Sequence, residues 1–549
     1  MNGQSADKRN IMYIFNDTVF GGAGQSLLDI LTEIKEKVNP IVVVRDVAHI
    51  EDKFVELEIK CHKIQFSLDY VKIGSVDADK RKWDLKQNYE AALQLLPIIQ
   101  KEKIQLIHIN SSVSSFAAIA ALMAHIPYVW HIRELLEEHF GNEFLNEELK
   151  VNLYKKADKL IAISEYVKKQ YGIKYGIETF RLYNGLNIRR FKRDIMQGDQ
   201  LDKTFIVAAM ITPEKGQWDV IQAVELLVKR GHVGVKVIIV GGGAENYVWA
   251  LKKYIQREGL ERNICILPFQ DDLSGLRSQA SYAITSSKNE ALGRVTIEAM
   301  LAGNIVIGAR SGGTTEIIGE NEERGFLYEL GNSISLADTM ERAINCDERR
   351  KSLLLQSAQS YAEDTFDSRK HCVELQNIYD ETIVSYTPKK CDDILEILRR
   401  CHSVNHFKDS VIGTHDTSYT KWASAFSTAI KWLAIRQSGR SLSEYFEQNN
   451  IQTIAIYGMA TLGCRLYDEL ENSAVQVKYL LDRNPNGMDQ IFEFSLLEKS
   501  KLEVDAIVVT AVSSGNEIID TIATYGYDNA ISLIMILNSF DGNNFNTLT

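Results

Sequence analysis

Two carboxylates that could bind hydroxyl groups lie in the segment SSKNEALGRVTIEAMLAG, where Glu290 and Glu298 are eight residues apart. Glutamate is so common that this spacing is expected by chance in a chain of 549 residues. The context is more informative, because an apolar run ends at Ser287, Glu290 falls in the following loop, and Gly293 opens a helix containing Glu298. Because a helix N-terminus offers unpaired N–H groups to phosphate, the segment predicts a diphosphate site. Two solvated glutamates at a helix end are the alternative.

A cation that could serve the same ligand occurs in AAMITPEKGQWDVIQAVELL, where Lys215 precedes Gly216 at a predicted junction of strand and helix. A flexible ammonium group there can neutralise a diphosphate and stabilise the charge that develops when a bond to it breaks. A solvated surface lysine is the alternative interpretation.

Glycines follow the first apolar run in FNDTVFGGAGQSLLDIL, where Gly21 and Gly22 let the backbone approach a ligand because they carry no Cβ. The dinucleotide fingerprint G-x-G-x-x-G is not met, since Leu27 stands where its third glycine belongs. In VWHIRE, His131 is expected at the carboxyl end of another strand. Its imidazole could bind a ligand or have a structural role.

Short apolar runs separated by helical segments must position these residues, and such runs predict parallel sheets covered on both faces. The fold class is therefore α/β, with two facing doubly wound Rossmann-like domains and ligands at the carboxyl ends of the strands. The window from Ser114 to Trp130 is interpreted as a buried helix that runs into a strand, not as a membrane span. The runs of the two domains are IMYIF, IVVVR, IQLIHIN, YVWHI and LIAIS, then FIVAAM, VKVIIVGGG, ICILPF, YAITSS and IVIGA.

The strand pattern stops near residue 365, where the amphipathic segments DSRKHCVELQNIYDETIV and TKWASAFSTAIKWLAIRQ predict a helical connector. It resumes in TIAIYGMATLGCRLYDEL, VKYLLD, VDAIVVTAV and AISLIMIL, which predict a third, small Rossmann-like domain. There Gly458 and Gly463 frame G-x-A-x-x-G, with Ala460 inside it and Asp482 ending the next strand. A nucleotide site and a structural or assembly role both remain open. The predicted domains are residues 1–190, 191–365, 366–450 and 451–549, and the first connector helix is expected to pack on the first domain.

Composition narrows the functional classes. The length of 549 residues exceeds what one core supports, and only 7 prolines, with 45% hydrophobic and 25% charged residues, argue against a long disordered arm. The 7 cysteines lack disulfide or zinc spacing, which fits a reducing cytoplasm, and no signal peptide is predicted. The net charge of −11 argues against nucleic acid binding.

Taken in order, these motifs resemble glycosyltransferase family 4, the retaining enzymes of GT-B fold, over roughly residues 11 to 386. The resemblance implies that Glu290 binds the donor hexose and Glu298 the ribose, with Glu290 and His131 as the catalytic positions. Backbone groups of Leu292, Gly293 and Arg294 would approach the phosphates. The further donor-site residues that it implies are Gly22 and Lys215, and YNGLNIRRF (183–191) resembles the crossing between domains.

The sequence departs from the family pattern at Ala209 and Met210, where Gly and Arg are usual, so one phosphate cation is missing. Arg294 is the candidate that could replace it. Asn110, Ser111 and Ser112 are expected to line the acceptor side. The string Asp77-Ala78-Asp79 is interpreted as a polar loop, because metal-independent transfer is what the resemblance implies.

The resemblance implies transfer of a hexose-type sugar from a nucleotide-diphosphate sugar, without a cofactor, to a glycan or lipid-linked acceptor in bacterial surface polysaccharide synthesis. A cytoplasmic location is expected, with peripheral contact at the inner face of the membrane and an oligomer through the last domain as further expectations. One alternative is an inactive or regulatory scaffold that binds a sugar nucleotide. Another is a GT-B isomerase or phosphorylase.

Overall fold

The structure is a computed structural model that describes residues 8–16, 21–45, 51–74, 78–193, 203–402, 428, 431–432, 435–436, 439–471, 473–483, 491–499, 501–512 and 515–542. Asp77 and most of the second predicted connector helix, residues 420–437, lie outside these residues. The chain divides into two compact units. Unit 1 runs to residue 406 without 211–213 and 242–260, and unit 2 combines those two segments with the residues beyond 406.

The first domain of unit 1 is built on a seven-stranded parallel sheet with the order β3-β2-β1-β5-β6-β8-β9, next to a short antiparallel pair of β4 and β7. Its strands are β1 (Arg9–Phe15), β2 (Val38–Arg45), β3 (Lys60–Ile64), β4 (Tyr70–Lys72), β5 (Leu106–Ile109), β6 (Tyr128–Ile132), β7 (Asn142–Phe144), β8 (Lys159–Ala162) and β9 (Phe180–Arg181). Its helices are α1 (Gly22–Ile34), α2 (Asp52–Val55), α3 (Ala78–Lys101), α4 (Ser115–Met123), α5 (Leu136–Phe140), α6 (Glu147–Lys156), α7 (Glu165–Tyr175) and α8 (Ile188–Phe191).

The second domain has a six-stranded parallel sheet with the order β12-β11-β10-β13-β14-β15. Its strands are β10 (Thr204–Ala208), β11 (Lys236–Val240), β12 (Ile264–Leu267), β13 (Tyr282–Thr285), β14 (Ile305–Ala309) and β15 (Phe326–Tyr328). The helices from here to residue 402 are α9 (Gln217–Lys229), α10 (Glu245–Arg257), α11 (Ser274–Gln279), α12 (Arg294–Leu301), α13 (Gly312–Ile318), α14 (Ser333–Ile344), α15 (Glu348–Thr365), α16 (Ser368–Ser385) and α17 (Asp392–His402).

Both sheets confirm the doubly wound α/β prediction, and the central strands are buried as continuous apolar runs require. The window from Ser114 to Trp130 forms α4 and enters β6, as expected for a buried helix followed by a strand. Helix α16 packs on α1 of the first domain, where the Cys372 thiol lies 3.6 Å from the Ile30 carbonyl oxygen. No helix in the described part of the chain is both long and apolar enough to cross a membrane.

Unit 2 contains a five-stranded parallel sheet with the order β18-β17-β16-β19-β20. Helix α10 belongs to this unit, where the Trp249 indole N–H donates to Asp468 at 2.9 Å and Lys253 pairs with Glu471 at 2.9 Å. Its other elements are α18 (Ser443–Gln448), β16 (Thr453–Tyr457), α19 (Thr461–Leu470), β17 (Gln476–Asp482), β18 (Ile491–Glu493), α20 (Leu496–Lys499), β19 (Ala506–Val509), α21 (Gly515–Thr524), β20 (Ala530–Ser532) and α22 (Leu533–Asn538).

The predicted last strand, AISLIMIL, is wrong in its second half. Only the first three residues form β20, and Ser532 caps the helix α22 by accepting a hydrogen bond from the Met535 N–H at 3.1 Å. The buried side chains of Leu533, Ile536 and Leu537 follow helical spacing. An apolar run of this length does not distinguish a strand from a short helix.

A buried lysine, which sequence reasoning missed, ties together the carboxyl-end loops of the first sheet. Lys150 on α6 pairs with Asp69 at 2.7 Å, and their side chains are only 2% and 3% exposed. Its ammonium group also donates to the Ser112 carbonyl at 2.7 Å and lies 4.8 Å from the centre of the Trp130 ring. Burial lowers the pKa of Lys150, although the Asp69 carboxylate opposes this effect.

We expect Lys150→Ala to lower the free energy of unfolding by about 3 to 5 kcal/mol, because it leaves the Asp69 charge buried without its cation. The exposed Lys155, on the same helix, supplies the control, and Lys155→Ala should change stability by about 0.5 kcal/mol or less. Urea unfolding of both variants checks this. A loss below about 1 kcal/mol for Lys150→Ala would contradict the role given to the pair.

Candidate functional site

The predicted diphosphate site lies in the loop between β13 and α12, residues 286–293, which we call the β13–α12 loop. Gly293 occupies the N-cap position with a positive φ of 94°, which glycine adopts readily. Among the described residues, no side chain caps α12. The N-terminal turn of this helix therefore has the backbone N–H groups that sequence reasoning assigned to phosphate binding.

Lys215 and Glu290, 75 residues apart in the chain, meet at this loop. The Lys215 ammonium lies 2.6 Å from Glu290 Oε1, with 29% and 18% of the two side chains exposed. Gly216 brings them together, because a Cβ on this residue would lie 2.4 Å from the Ser286 carbonyl oxygen, and its φ is 67°. The Ser286 hydroxyl also donates to the Lys215 carbonyl at 2.7 Å. The close approach of two loops thus creates the pair.

Helix α13 packs on the backbone of Glu290 and holds it in place. The Gly313 N–H donates to the Glu290 carbonyl at 2.7 Å, and a Cβ on Gly312 would lie 2.5 Å from the same oxygen. The Ser311 hydroxyl accepts from the Asn289 N–H at 2.9 Å. The sequence ARSGGTTE is therefore glycine-rich because the β13–α12 loop packs directly on the backbone of α13.

Glu298 is buried between two guanidinium groups. Its Oε2 accepts from Arg277 at 2.6 Å and its Oε1 from Arg294 at 2.9 Å. Burial would raise the pKa of Glu298, but the two arginines outweigh it and hold the pKa below its usual value. A ribose hydroxyl could replace one of these partners, so the ribose role stays a prediction. Sequence reasoning missed Arg277, which no motif marks.

Arg294 is held by carboxylates of both domains. Its guanidinium lies 2.7 Å from Asp29 of α1 and is 12% exposed. Because Asp29 and Glu298 engage its guanidinium, Arg294 is not positioned to serve as the second cation for the phosphate. Met210, which stands where the family has its arginine, is 59% exposed. Backbone contact of Leu292 and Gly293 with phosphate stays a prediction. The Leu292 side chain is buried.

The glycines at the start of α1 face open space. Gly21 and Gly22 are exposed, and no atom of the described residues lies within 4 Å of the position that a Cβ would take on either. Packing against the described part of the chain therefore does not explain them, in contrast to Gly216. Residues 17–20 of this loop lie outside the described part of the chain. Contact of Gly22 with the ligand stays a prediction.

His131 lies at the carboxyl end of β6, as predicted, but the residue is 0% exposed. Its ring centre lies 5.4 Å from that of His108 and 6.2 Å from that of His371, and Nδ1 is 3.3 Å from Arg133. Burial, with the Arg133 charge, lowers the pKa of His131 well below its usual value, so it is neutral. Contact with a sugar would require neighbouring groups to move, and the catalytic role of His131 stays a prediction.

Asn110, Ser111 and Ser112, which are expected to line the acceptor side, follow β5 at the carboxyl end of the first sheet, and their place on the acceptor side stays a prediction. All three are buried. The Ser111 and Ser112 hydroxyls donate to Glu134 at 2.5 and 2.6 Å, and Asn110 accepts from Arg133 at 2.9 Å. Charged side chains that follow β6 bind the polar groups that follow β5. Sequence reasoning did not pair the ends of these neighbouring strands.

In unit 2, packing accounts for the glycines of G-x-A-x-x-G. Gly458 has a φ of 92°, and a Cβ on Gly463 would lie 2.1 Å from the Gly458 carbonyl oxygen. Asp482 accepts from the Met459 N–H at 2.8 Å, so its carboxylate holds the turn. A nucleotide-binding role of Gly458, Gly463 and Asp482 stays a prediction.

The two doubly wound domains have the GT-B fold of glycosyltransferases, and the ion pair joins two loops that follow strands of the second domain. Two family models match the chain: "Glycosyltransferase Family 4" over residues 20–190 and "Glycosyl transferases group 1" over residues 189–357. The chain belongs to glycosyltransferase family 4.

Relatives and a solved structure agree with this assignment. The chain is 24% identical to N-acetyl-alpha-D-glucosaminyl L-malate synthase of Bacillus anthracis, over 53% of this chain and 79% of that protein. It is 23% identical to the capsular polysaccharide biosynthesis glycosyltransferase CapM of Staphylococcus aureus, over 56% and 84%. The crystal structure of Anabaena HepE in complex with UDP and glucose matches with a TM-score of 0.57 and 25% identity, covering 68% of this chain and 100% of that one.

The buried histidines should make the fold sensitive to acid. Burial lowers the pKa of His108 and His131 and brings that of His371 to about 4, whereas histidines of the unfolded chain titrate near pH 6.5. Their contribution to stability is therefore complete above pH 6.5 and is lost as the pH falls from 6.5 toward 4. Each can lower the free energy of unfolding by up to about 1.4 kcal/mol per pH unit.

We expect His371→Gln to reduce this slope by about one proton, measured by denaturant unfolding between pH 7 and 5. The matched control is His125→Gln, which replaces an exposed histidine of the first domain and should change the slope less than His371→Gln does. Equal slopes for wild type and His371→Gln would contradict the burial argument.

Proposed function

We propose that this glycosyltransferase moves a hexose-type sugar, with retention of anomeric configuration, from a nucleotide-diphosphate sugar to a glycan or lipid-linked acceptor. The observation that carries the proposal is the ion pair of Lys215 and Glu290, 2.6 Å apart and partly exposed beside the N-terminus of α12. These groups supply a cation, a hydroxyl acceptor and a row of backbone N–H donors, which are what a sugar diphosphate needs.

Donor binding exchanges partners within this pair. The diphosphate accepts hydrogen bonds from the α12 N-terminus and attracts the Lys215 ammonium. Glu290 then accepts from hydroxyl groups of the sugar. In the free protein the two charges satisfy each other, and in the complex each has a partner on the donor, so the exchange leaves neither charge without a partner. The main-chain support from α13 keeps Glu290 in place.

Transfer then needs no protein nucleophile. The bond between the anomeric carbon and the diphosphate oxygen breaks, and the acceptor oxygen forms its bond on the same face of the sugar. The acceptor proton passes to the departing phosphate oxygen. Lys215 and the dipole of α12 stabilise the charge on the leaving group, which is why we propose that no metal ion is required.

The biological setting that we propose is bacterial surface polysaccharide synthesis in the cytoplasm, at the inner face of the membrane. The role of CapM in capsular polysaccharide biosynthesis supports this setting, and the UDP and glucose bound to HepE support a uridine nucleotide sugar as donor.

Met210 favours a second candidate function, a regulatory scaffold that binds a sugar nucleotide without transferring it. The site lacks the arginine usual in the family, and the Arg294 guanidinium is engaged by Asp29 and Glu298. One cation fewer weakens stabilisation of the leaving group more than it weakens binding of the nucleoside. Slow hydrolysis of a bound UDP-sugar to UDP would exclude the scaffold, whereas binding without hydrolysis or transfer would support it.

We expect Glu290→Gln to lower kcat by about 100- to 1,000-fold, because the variant loses the charge that positions the sugar and polarises its hydroxyls. Lys215→Ala should weaken the binding of UDP-sugar by about 10- to 100-fold through loss of a charge-assisted hydrogen bond. Lys288→Ala, an exposed lysine of the same loop, is the matched control and should leave both quantities within about twofold.

The donor is first identified by thermal shift with UDP-, GDP- and dTDP-sugars, since a ligand of the native state raises the melting temperature. Transfer is then measured by release of the nucleoside diphosphate in the presence of acceptor. Full activity of Glu290→Gln, or unchanged affinity of Lys215→Ala, would overturn the assignment of the site.

A further inference from the structure

The N-terminus of α7 in the first domain is capped from the second domain. The Glu165 and Tyr166 N–H groups donate to the two carboxylate oxygens of Glu316, at 3.0 Å each. Glu316 lies on α13 of the second domain, and the first domain supplies both donors. The Tyr183 hydroxyl of the first domain adds a third hydrogen bond to Glu316, at 2.6 Å. One carboxylate thus gathers three donors across the domain boundary.

The next N–H group of the same helix is bound by its own N-cap residue. The Val167 N–H donates to the Ser164 hydroxyl at 3.0 Å. This hydroxyl in turn donates to the Ala291 carbonyl of the β13–α12 loop at 2.5 Å. The first three N–H groups of α7 are therefore satisfied by Glu316 and Ser164 together, and we call this arrangement the α7 cap.

The α7 cap touches the donor loop at two points. Ser164 holds the Ala291 carbonyl directly. Glu316 lies on the helix whose first turn supports Glu290, through the Gly313 N–H at 2.7 Å from the Glu290 carbonyl oxygen. Both sides of the loop that carries Glu290 are thus linked to α7. A carboxylate at a helix N-terminus is also favoured by the helix dipole, so the contact attracts the two domains to each other.

We propose that Glu316 is a positioning residue for sugar transfer, which holds the β13–α12 loop in its donor-binding geometry by capping α7 across the domain boundary. The inference rests on the proposed function, since it assumes that this loop binds the donor. The cap needs groups of both domains, so it forms only when they are together. Domain closure and the geometry around Glu290 are then coupled through one carboxylate.

A second contact between the two domains lies at the α12 end of the loop, and here the second domain supplies the positive charge. Arg294, which directly follows Gly293, pairs with Asp29 of α1 at 2.7 Å and lies 3.4 Å from the Ser26 hydroxyl. The second domain thus contributes the Glu316 carboxylate to the N-terminus of α7 and the Arg294 guanidinium to the Asp29 carboxylate. The first domain therefore contacts the chain on both sides of Leu292 and Gly293, at Ala291 through Ser164 and at Arg294 through Asp29.

The test uses the full chain with UDP as the probe. Glu316→Ala removes all three hydrogen bonds, Glu316→Asp keeps the charge on a shorter side chain, and Tyr183→Phe removes one donor alone. The control is Glu320→Ala, because Glu320 follows the same helix, and its side chain is 76% exposed and paired with Arg310. Calorimetry measures the Kd for UDP, and thermal denaturation verifies folding.

Pulsed EPR distances between the first and second domains supply a readout that a purely structural role would not move. Spin labels at the exposed Lys53 and Lys229 are introduced as noncanonical amino acids, since the chain has 7 cysteines. With UDP bound, the wild type should give one narrow distance distribution. Glu316→Ala should broaden it toward longer distances.

We expect Glu316→Ala to weaken UDP binding by about tenfold or more, since apparent affinity falls with the fraction of molecules in the competent arrangement. Glu316→Asp should recover part of the loss, and Tyr183→Phe should weaken binding by a few fold in the same direction. Glu320→Ala should match the wild type. Wild-type affinity and distances in Glu316→Ala would overturn this inference, whereas failure of the wild type to bind any nucleotide would overturn the proposed function instead.

Discussion

The ion pair between Lys215 and Glu290 is the interaction on which the rest of the site depends. Neither side chain is positioned by its own element alone. Gly216 lets the chain pass within van der Waals contact of Ser286, and Gly312 and Gly313 let α13 come directly against the Glu290 backbone. The carboxylate is thus fixed by main-chain packing, while its charge is balanced by a flexible ammonium. This combination suits a group that must change partners without changing place.

The charged side chains of the site differ in how deeply they are buried. Lys215 and Glu290 are partly exposed, whereas Glu298, Arg277 and Arg294 form a nearly buried network. The buried network fixes the N-terminal half of α12 and extends to Asp29 of the first domain. The exposed pair is therefore the part that a ligand reaches most easily. The N-terminus of α12, which together with this pair forms the proposed phosphate site, is fixed by the buried network.

Much of the fold could be predicted from the sequence, because continuous apolar runs and their order report a parallel sheet directly. Motif order also assigned Lys215 and Glu290 to one donor site, but the direct contact between their side chains is a finding of the structure. The buried roles did not, since they depend on neighbours far away in the chain. His131 was placed correctly at the end of β6, but its packing against His108 and His371 could not be inferred. Similarly, no local pattern identifies Arg277 as a partner of Glu298, or α10 as part of unit 2.

The most direct test of the central claim is a crystal structure of the protein with UDP. We expect the terminal phosphate to lie within about 3.2 Å of both the Lys215 ammonium and an N–H of the first turn of α12, with the contact between Lys215 and Glu290 lengthened or broken. Phosphate bound elsewhere, such as at the Gly458 turn of unit 2, with the ion pair unchanged at 2.6 Å, would contradict it.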